Sequence, residues 1–128
     1  MTEPGAQAEL LIAGGGIGGL AAALALTRQG APVQLLEQAQ AFTEVGAGIQ
    51  LGPNVVRVLH GWGLQSALKA VAAWPQQLQA RSALTGEVLA RLPLGADIAQ
   101  RYGAPYATVH RADLHSLLLA AVQSEGLA

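Results

Sequence analysis

The first apolar run, Glu9 to Ala13 (ELLIA), is short and continuous, which predicts a strand buried on both faces as in a parallel sheet. The string Gly14-Gly15-Gly16-Ile17-Gly18-Gly19 ends it. From Ile17 to Gln29 the chain is rich in alanine and leucine, both strong helix formers, and Gly30 is the stop expected just past a helix. A second apolar run, Val33 to Leu36, follows Gly30-Ala31-Pro32 and finishes at Glu37. Strand, turn, helix and strand make a βαβ unit of about 30 residues, the size of a right-handed parallel crossover. Further on, "LQARSAL" and "EVLARLPL" flank the turn signal Thr85-Gly86, so Gln76 to Pro93 predicts a hairpin that leaves the parallel sheet. The expected fold class is α/β: a Rossmann-like βαβ fold with a parallel sheet and a small antiparallel excursion, in one domain spanning 1–128.

Gly14, Gly16 and Gly19 fall in the spacing G-x-G-x-x-G, and each has its own task. Gly14 permits the tight turn out of the strand, Gly16 lets a pyrophosphate approach the backbone, and Gly19 lets the helix pack close to the sheet. The helix N-terminus at Ile17 presents unpaired N–H groups and about half a positive charge to phosphate. Glu37, at the end of the second strand, is placed to accept hydrogen bonds from ribose hydroxyls. A carboxylate there disfavours NADP, whose 2′-phosphate it would repel. Such a fingerprint is weak alone, but strand, helix, terminal glycine and acid all fall in place around it, which makes the site dinucleotide-binding. The unit does not separate FAD from NAD.

Composition narrows the classes. At 128 residues, with 52% hydrophobic and 12% charged residues, the chain has the apolar content for one domain with a core. A net charge of −1 gives no electrostatic basis for binding nucleic acid or anionic membrane. Without cysteine there are no disulfides, thiolate metal sites or thiol nucleophiles, which is compatible with the cytoplasm. "MTEPGAQAE" carries two acids and no basic side chain, so it does not read as a signal peptide. The uncharged stretch Leu10 to Leu26 touches the lower limit of a bilayer span, but its glycines make a poor helix. His60, His110 and His115 show no metal-ligand spacing, so no metal is expected. Asp113, His115 and Ser116 share one predicted helix, where capping and a solvated face explain them, and Trp62 and Trp74 read as packing residues. No catalytic residue is identified.

Two segments carry a family resemblance. "FTEVGAGIQLGPNVVRVLHGWGL" resembles the loop and helix after the second strand in the single-component flavoprotein aromatic hydroxylases, the group of salicylate hydroxylase and 3-hydroxybenzoate 6-hydroxylase. "VHRADLHSLLL" is similar to that family's segment in which an arginine opens a helix beneath the flavin pyrophosphate. On the residues alone, Gly46, Gly48 and Gly52 make a loop that a flat ring can approach, Pro53 suits the first turn of a helix, and Arg111 can pair with phosphate as a fixed fork. The resemblance implies FAD as cofactor, with Gly48 and Arg111 among the residues around it. If Arg111 is to meet the glycine turn, the strand through Ala107 to His110 must lie beside the first strand of the parallel sheet.

The resemblance also implies a reaction: NADH or NADPH reduces FAD, O2 adds to give a flavin C4a-hydroperoxide, and oxygen passes to a phenolic aromatic acid. Members of that family are longer, with later D-G and G-D motifs and a substrate-binding sheet. The expectation is therefore an N-terminal portion of such an enzyme, inactive alone. An uncovered sheet edge would invite association, and a second copy is a candidate partner. The competing readings are another FAD-dependent oxidoreductase, epoxidase or halogenase-like, and a non-catalytic nucleotide-binding fragment.

Overall fold

The computed structural model describes residues 10–41 and 46–127. In chain order the elements are β1 (Leu10–Ala13), α1 (Ile17–Arg28), β2 (Val33–Leu36), β3 (Gly48–Leu51), α2 (Pro53–Gly61), α3 (Gln65–Val71), β4 (Ala72–Ala73), β5 (Gln77–Arg81), β6 (Val88–Pro93), α4 (Ala96–Tyr102), β7 (Ala107–His110) and α5 (Arg111–Ser124). The described residues group into two compact units: 10–41 with 112–127, and Gly46–Arg111.

In the first unit β1 and β2 pair in parallel, Leu10 opposite Val33 and Ala13 opposite Leu36. Backbone bonds from Leu10 N–H to the Pro32 carbonyl (2.8 Å) and from Gly14 N–H to the Leu36 carbonyl (2.7 Å) continue the ladder at both ends. The crossover helix α1 buries Leu20, Ala23 and Leu24, a spacing that puts all three on one face. It ends because Gly30 takes a left-handed φ of +79° while its N–H bonds the Thr27 carbonyl at 2.9 Å, a conformation that costs glycine no Cβ clash. On α5 the buried residues Leu114, Leu118, Ala121 and Val122 recur at helical spacing, with His115 among them. An ion pair from Arg28 Nε to Glu125 Oε1 (2.8 Å) ties the end of α1 to the segment just after α5. Both side chains are partly exposed, so the pair adds about 1 kcal/mol at most.

The expectation that β1 is buried on both faces does not hold. Leu10 and Leu11, which point to opposite faces of the strand, are 42% and 65% exposed. Glu9, the first residue of the predicted strand, lies outside the described residues.

The second unit is built on an antiparallel sheet in the order β3-β7-β4. Ile49 stands opposite Val109 and Leu51 opposite Ala107, and Leu51, Ala107 and Val109 are buried with Val56, Leu59 and Leu68 of the helices. Two expectations are corrected here. Gly48 lies in strand β3, opposite His110, and not in a loop. Strand β7 pairs antiparallel with β3 and β4 and does not extend the parallel β1-β2 pair. In this antiparallel register the buried Leu51 of β3 stands opposite the buried Ala107 of β7, and Ile49 opposite the buried Val109. Phe42 to Val45, in the first resemblance segment, lie outside the described residues.

Helix α2 starts at Pro53, whose missing N–H is no loss in the first turn. The hairpin stands where the sequence places it, with Leu78 opposite Leu92. Its connection closes through Ser82 N–H to the Glu87 carbonyl at 2.8 Å, and Gly86 has φ +74°.

Candidate functional site

The link from β1 to α1 is the centre of the candidate site. Gly14 has φ +108°, a conformation that L side chains avoid, and turns the chain out of the strand. A Cβ on Gly19 would collide with the Gly14 carbonyl oxygen, so the close approach of helix to turn requires glycine there. Gly16 differs: among the described residues a Cβ there would meet nothing within 4 Å. Gly16 is also the N-cap of α1, extended and without a side-chain cap, which leaves first-turn N–H groups at Ile17 and beyond for an external acceptor.

Two side chains meet at Gly15. Glu37, one residue past β2, accepts a hydrogen bond from Gly15 N–H at 2.7 Å and one from Ala39 N–H at 2.9 Å. These backbone bonds, Ala39 first and Gly15 second, hold its carboxyl below the usual value of 4.5. From the other side the buried His115 ring places Nε2 2.7 Å from the Gly15 carbonyl oxygen. The sequence reading missed this. It put His115 on a solvated face with Asp113 and Ser116, whereas Asp113 and Ser116 are exposed and His115 is buried. The available signal was the apolar spacing of α5, in which His115 follows Leu114 and precedes Leu118.

At the C-terminal ends of β1 and β2 lies a crevice of about 500 Å³ lined by Ala13, Gly14, Leu36, Glu37 and Gln38. Open α/β sheets bind ligands in this position. An open backbone at Gly16, an uncapped helix start at Ile17 and a carboxylate on the crevice wall fit a dinucleotide: donors for a pyrophosphate and an acceptor for ribose hydroxyls.

In the second unit Gly46, Gly48 and Arg111 gather where β7 ends. A Cβ on Gly46 would strike the His110 imidazole, while one on Gly48 would meet no described residue within 4 Å. Arg111 opens α5, and its backbone N–H donates to the Ala47 carbonyl at 3.0 Å. Within the first unit, His115 of α5 contacts the glycine turn at Gly15. Among the described residues no helix is long and apolar enough to cross a membrane, and no group of three or more His, Cys, Asp or Glu could hold a metal ion.

A parallel βαβ crossover with this turn and an acid closing its second strand is a dinucleotide-binding module. The family is more particular: residues 7–128 match the FAD binding domain model, and the chain belongs to that family. It is 44% identical over 126 residues to 3-hydroxybenzoate 6-hydroxylase of Polaromonas naphthalenivorans (strain CJ2), covering 98% of this chain and 32% of the relative. It is 42% identical over 119 residues to 6-hydroxynicotinate 3-monooxygenase of Pseudomonas fluorescens, covering 93% and 31%. Among solved structures, the tetrameric form of 2-methyl-3-hydroxypyridine-5-carboxylic acid oxygenase matches with a TM-score of 0.80 and 28% identity over 96% of this chain and 31% of that one. Klebsiella pneumoniae HpxO complexed with FAD and uric acid matches with a TM-score of 0.78 and 27% identity, over 88% and 28%. The chain thus spans about a third of the length of the relatives it matches.

Proposed function

We propose that this chain is the FAD-binding part of an NAD(P)H-dependent flavin monooxygenase that hydroxylates a phenolic aromatic acid. The observation that carries the reading is the open space beside Gly16 at an uncapped helix start, in a chain of the FAD binding domain family. Gly16 and Ile17 would take the pyrophosphate through backbone N–H groups, and Glu37 a ribose hydroxyl, using lone pairs left over from Gly15 and Ala39. Gly48, without a Cβ neighbour, and Arg111, with a fixed fork of donors, would line the rest of the cofactor. When bound, FAD would supply the redox chemistry, taking electrons from a nicotinamide and passing oxygen from O2 to the ring.

Support for the substrate class comes from the relatives, which are named for 3-hydroxybenzoate, 6-hydroxynicotinate and 3-amino-4-hydroxybenzoate. All three names describe small hydroxylated aromatic acids. We place the protein in the cytoplasm, in keeping with a cysteine-free chain, and count a second copy as its candidate partner.

The test is Gly16→Val in the intact protein. A β-branched side chain fills the space kept open beside the turn, so visible flavin absorbance after desalting should be lost while circular dichroism stays that of wild type. Full flavin retention by the variant would overturn the assignment.

A further inference from the structure

We propose that His115 is a positioning residue for the phosphate-binding turn, and that with Glu37 it fixes the two peptide groups flanking Gly15. This rests on the reading of the turn as an FAD pyrophosphate site. Gly15 is the one buried residue of the glycine string, yet it stands at a variable position of the G-x-G-x-x-G spacing, so the fingerprint assigns it no task. Side chains from two elements converge on it: Glu37 Oε2 on its N–H and His115 Nε2 on its carbonyl oxygen, each at 2.7 Å.

A carbonyl oxygen only accepts, so Nε2 must carry the proton of this bond. The peptide from Gly15 to Gly16 is trans, and in a trans peptide N–H and C=O point in opposite directions. Drawing the Gly15 carbonyl toward α5 therefore turns the Gly16 N–H away from α5. On the other side, Glu37 holds the Gly15 N–H and so directs the Gly14 carbonyl, the atom against which Gly19 packs.

The tethers matter because Gly14, Gly15 and Gly16 stand in sequence with no side chain to restrict them. Such a stretch loses more freedom on ordering than any other, and its peptide planes rotate readily. A plane turned over at Gly15 would present a carbonyl oxygen where phosphate expects a donor. Ordering the turn before the ligand arrives improves affinity by reducing what binding has to order.

The experiment uses the intact protein freed of flavin, and compares wild type, His115→Leu and His115→Gln. Calorimetric titration with FAD should show affinity about tenfold weaker for His115→Leu, the loss of one hydrogen bond. His115→Gln, which keeps an amide donor, should remain within about threefold of wild type. Nitrogen NMR of His115 in the wild type should show the Nε2–H form with a slowly exchanging proton. Wild-type FAD affinity in His115→Leu would overturn the proposal, as would an unprotonated Nε2. If the Leu variant does not fold, the proposal falls when the Gln variant folds but binds FAD as weakly as a variant lacking any donor should. A wild-type protein that does not bind FAD would instead sink the functional reading, and the NMR result would still report on the tether alone.

Discussion

Gly14–Gly19 and Gly46–Gly52 both read in the sequence as backbone that something else approaches closely, yet the structure uses their glycines differently. In the first segment Gly14 is required by its left-handed φ of +108°, and Gly19 by the Gly14 carbonyl lying against it. In the second no glycine has a positive φ. Gly46 is required by contact with the His110 ring, and a Cβ on Gly52 would come within 2.7 Å of the movable Asn54 side chain. At Gly16, Gly18 and Gly48 the described residues leave room for a Cβ, and none of the three has a positive φ. Gly18 lies exposed within α1, whereas Gly16 and Gly48 are two of the residues proposed for the cofactor, whose close approach would be a reason for glycine there.

The sharpest way to break the comparison is Gly19→Ala. The clash is with backbone that cannot swing aside, and overpacking costs up to about 3 kcal/mol, against ~1 kcal/mol that alanine gains in a helix. A clear fall in melting temperature with loss of FAD binding is expected, and a stabilised variant would show that the turn is not packed as described.

Gly46→Ala should cost less, about 1–2 kcal/mol, because the atom it meets belongs to a side chain. Urea unfolding of Gly46→Ala with His110→Ala should recover most of that loss, since the two positions are in contact. Strict additivity would mean that they do not meet.

Glu37 tests the tether at the first turn through pH. Its folded carboxyl titrates below 4.5, so the bond to Gly15 contributes above the ordinary value and is lost as pH falls through the folded one. The Gly15 amide resonance should shift with a midpoint below 4.5 in wild type and show no such step in Glu37→Gln. A midpoint at or above 4.5 would contradict the bond. At neutral pH the same variant should bind FAD roughly tenfold more weakly.

The smallest effect on the fold is expected from Gly48→Ala. With open space around the new Cβ, the unfolding free energy should stay within about 0.5 kcal/mol of wild type, measured by denaturant titration. A fall in FAD affinity at unchanged stability would identify the ligand as the reason for glycine there, and unchanged affinity would remove Gly48 from the site.

Sequence alone determined the parts whose causes lie close together along the chain. The strand at Leu10–Ala13, the helix from Ile17 and the strand ending before Glu37 follow from apolar runs and glycine spacing inside one crossover. The hairpin around Gly86 is of the same local kind, while the helix start at Arg111 was implied by the family resemblance of its segment. Tertiary structure decided the rest. Strands β3 and β4 are four and two residues long, too short to carry a period, and exist because β7 pairs with both. The helices α3 and α4, seven residues each, are likewise too short to stand on helix propensity. The burial of His115 was decided in the same way. The apolar spacing of α5 could place His115 on the buried face, but its partner is a carbonyl 100 residues earlier, brought within hydrogen-bond reach only by folding.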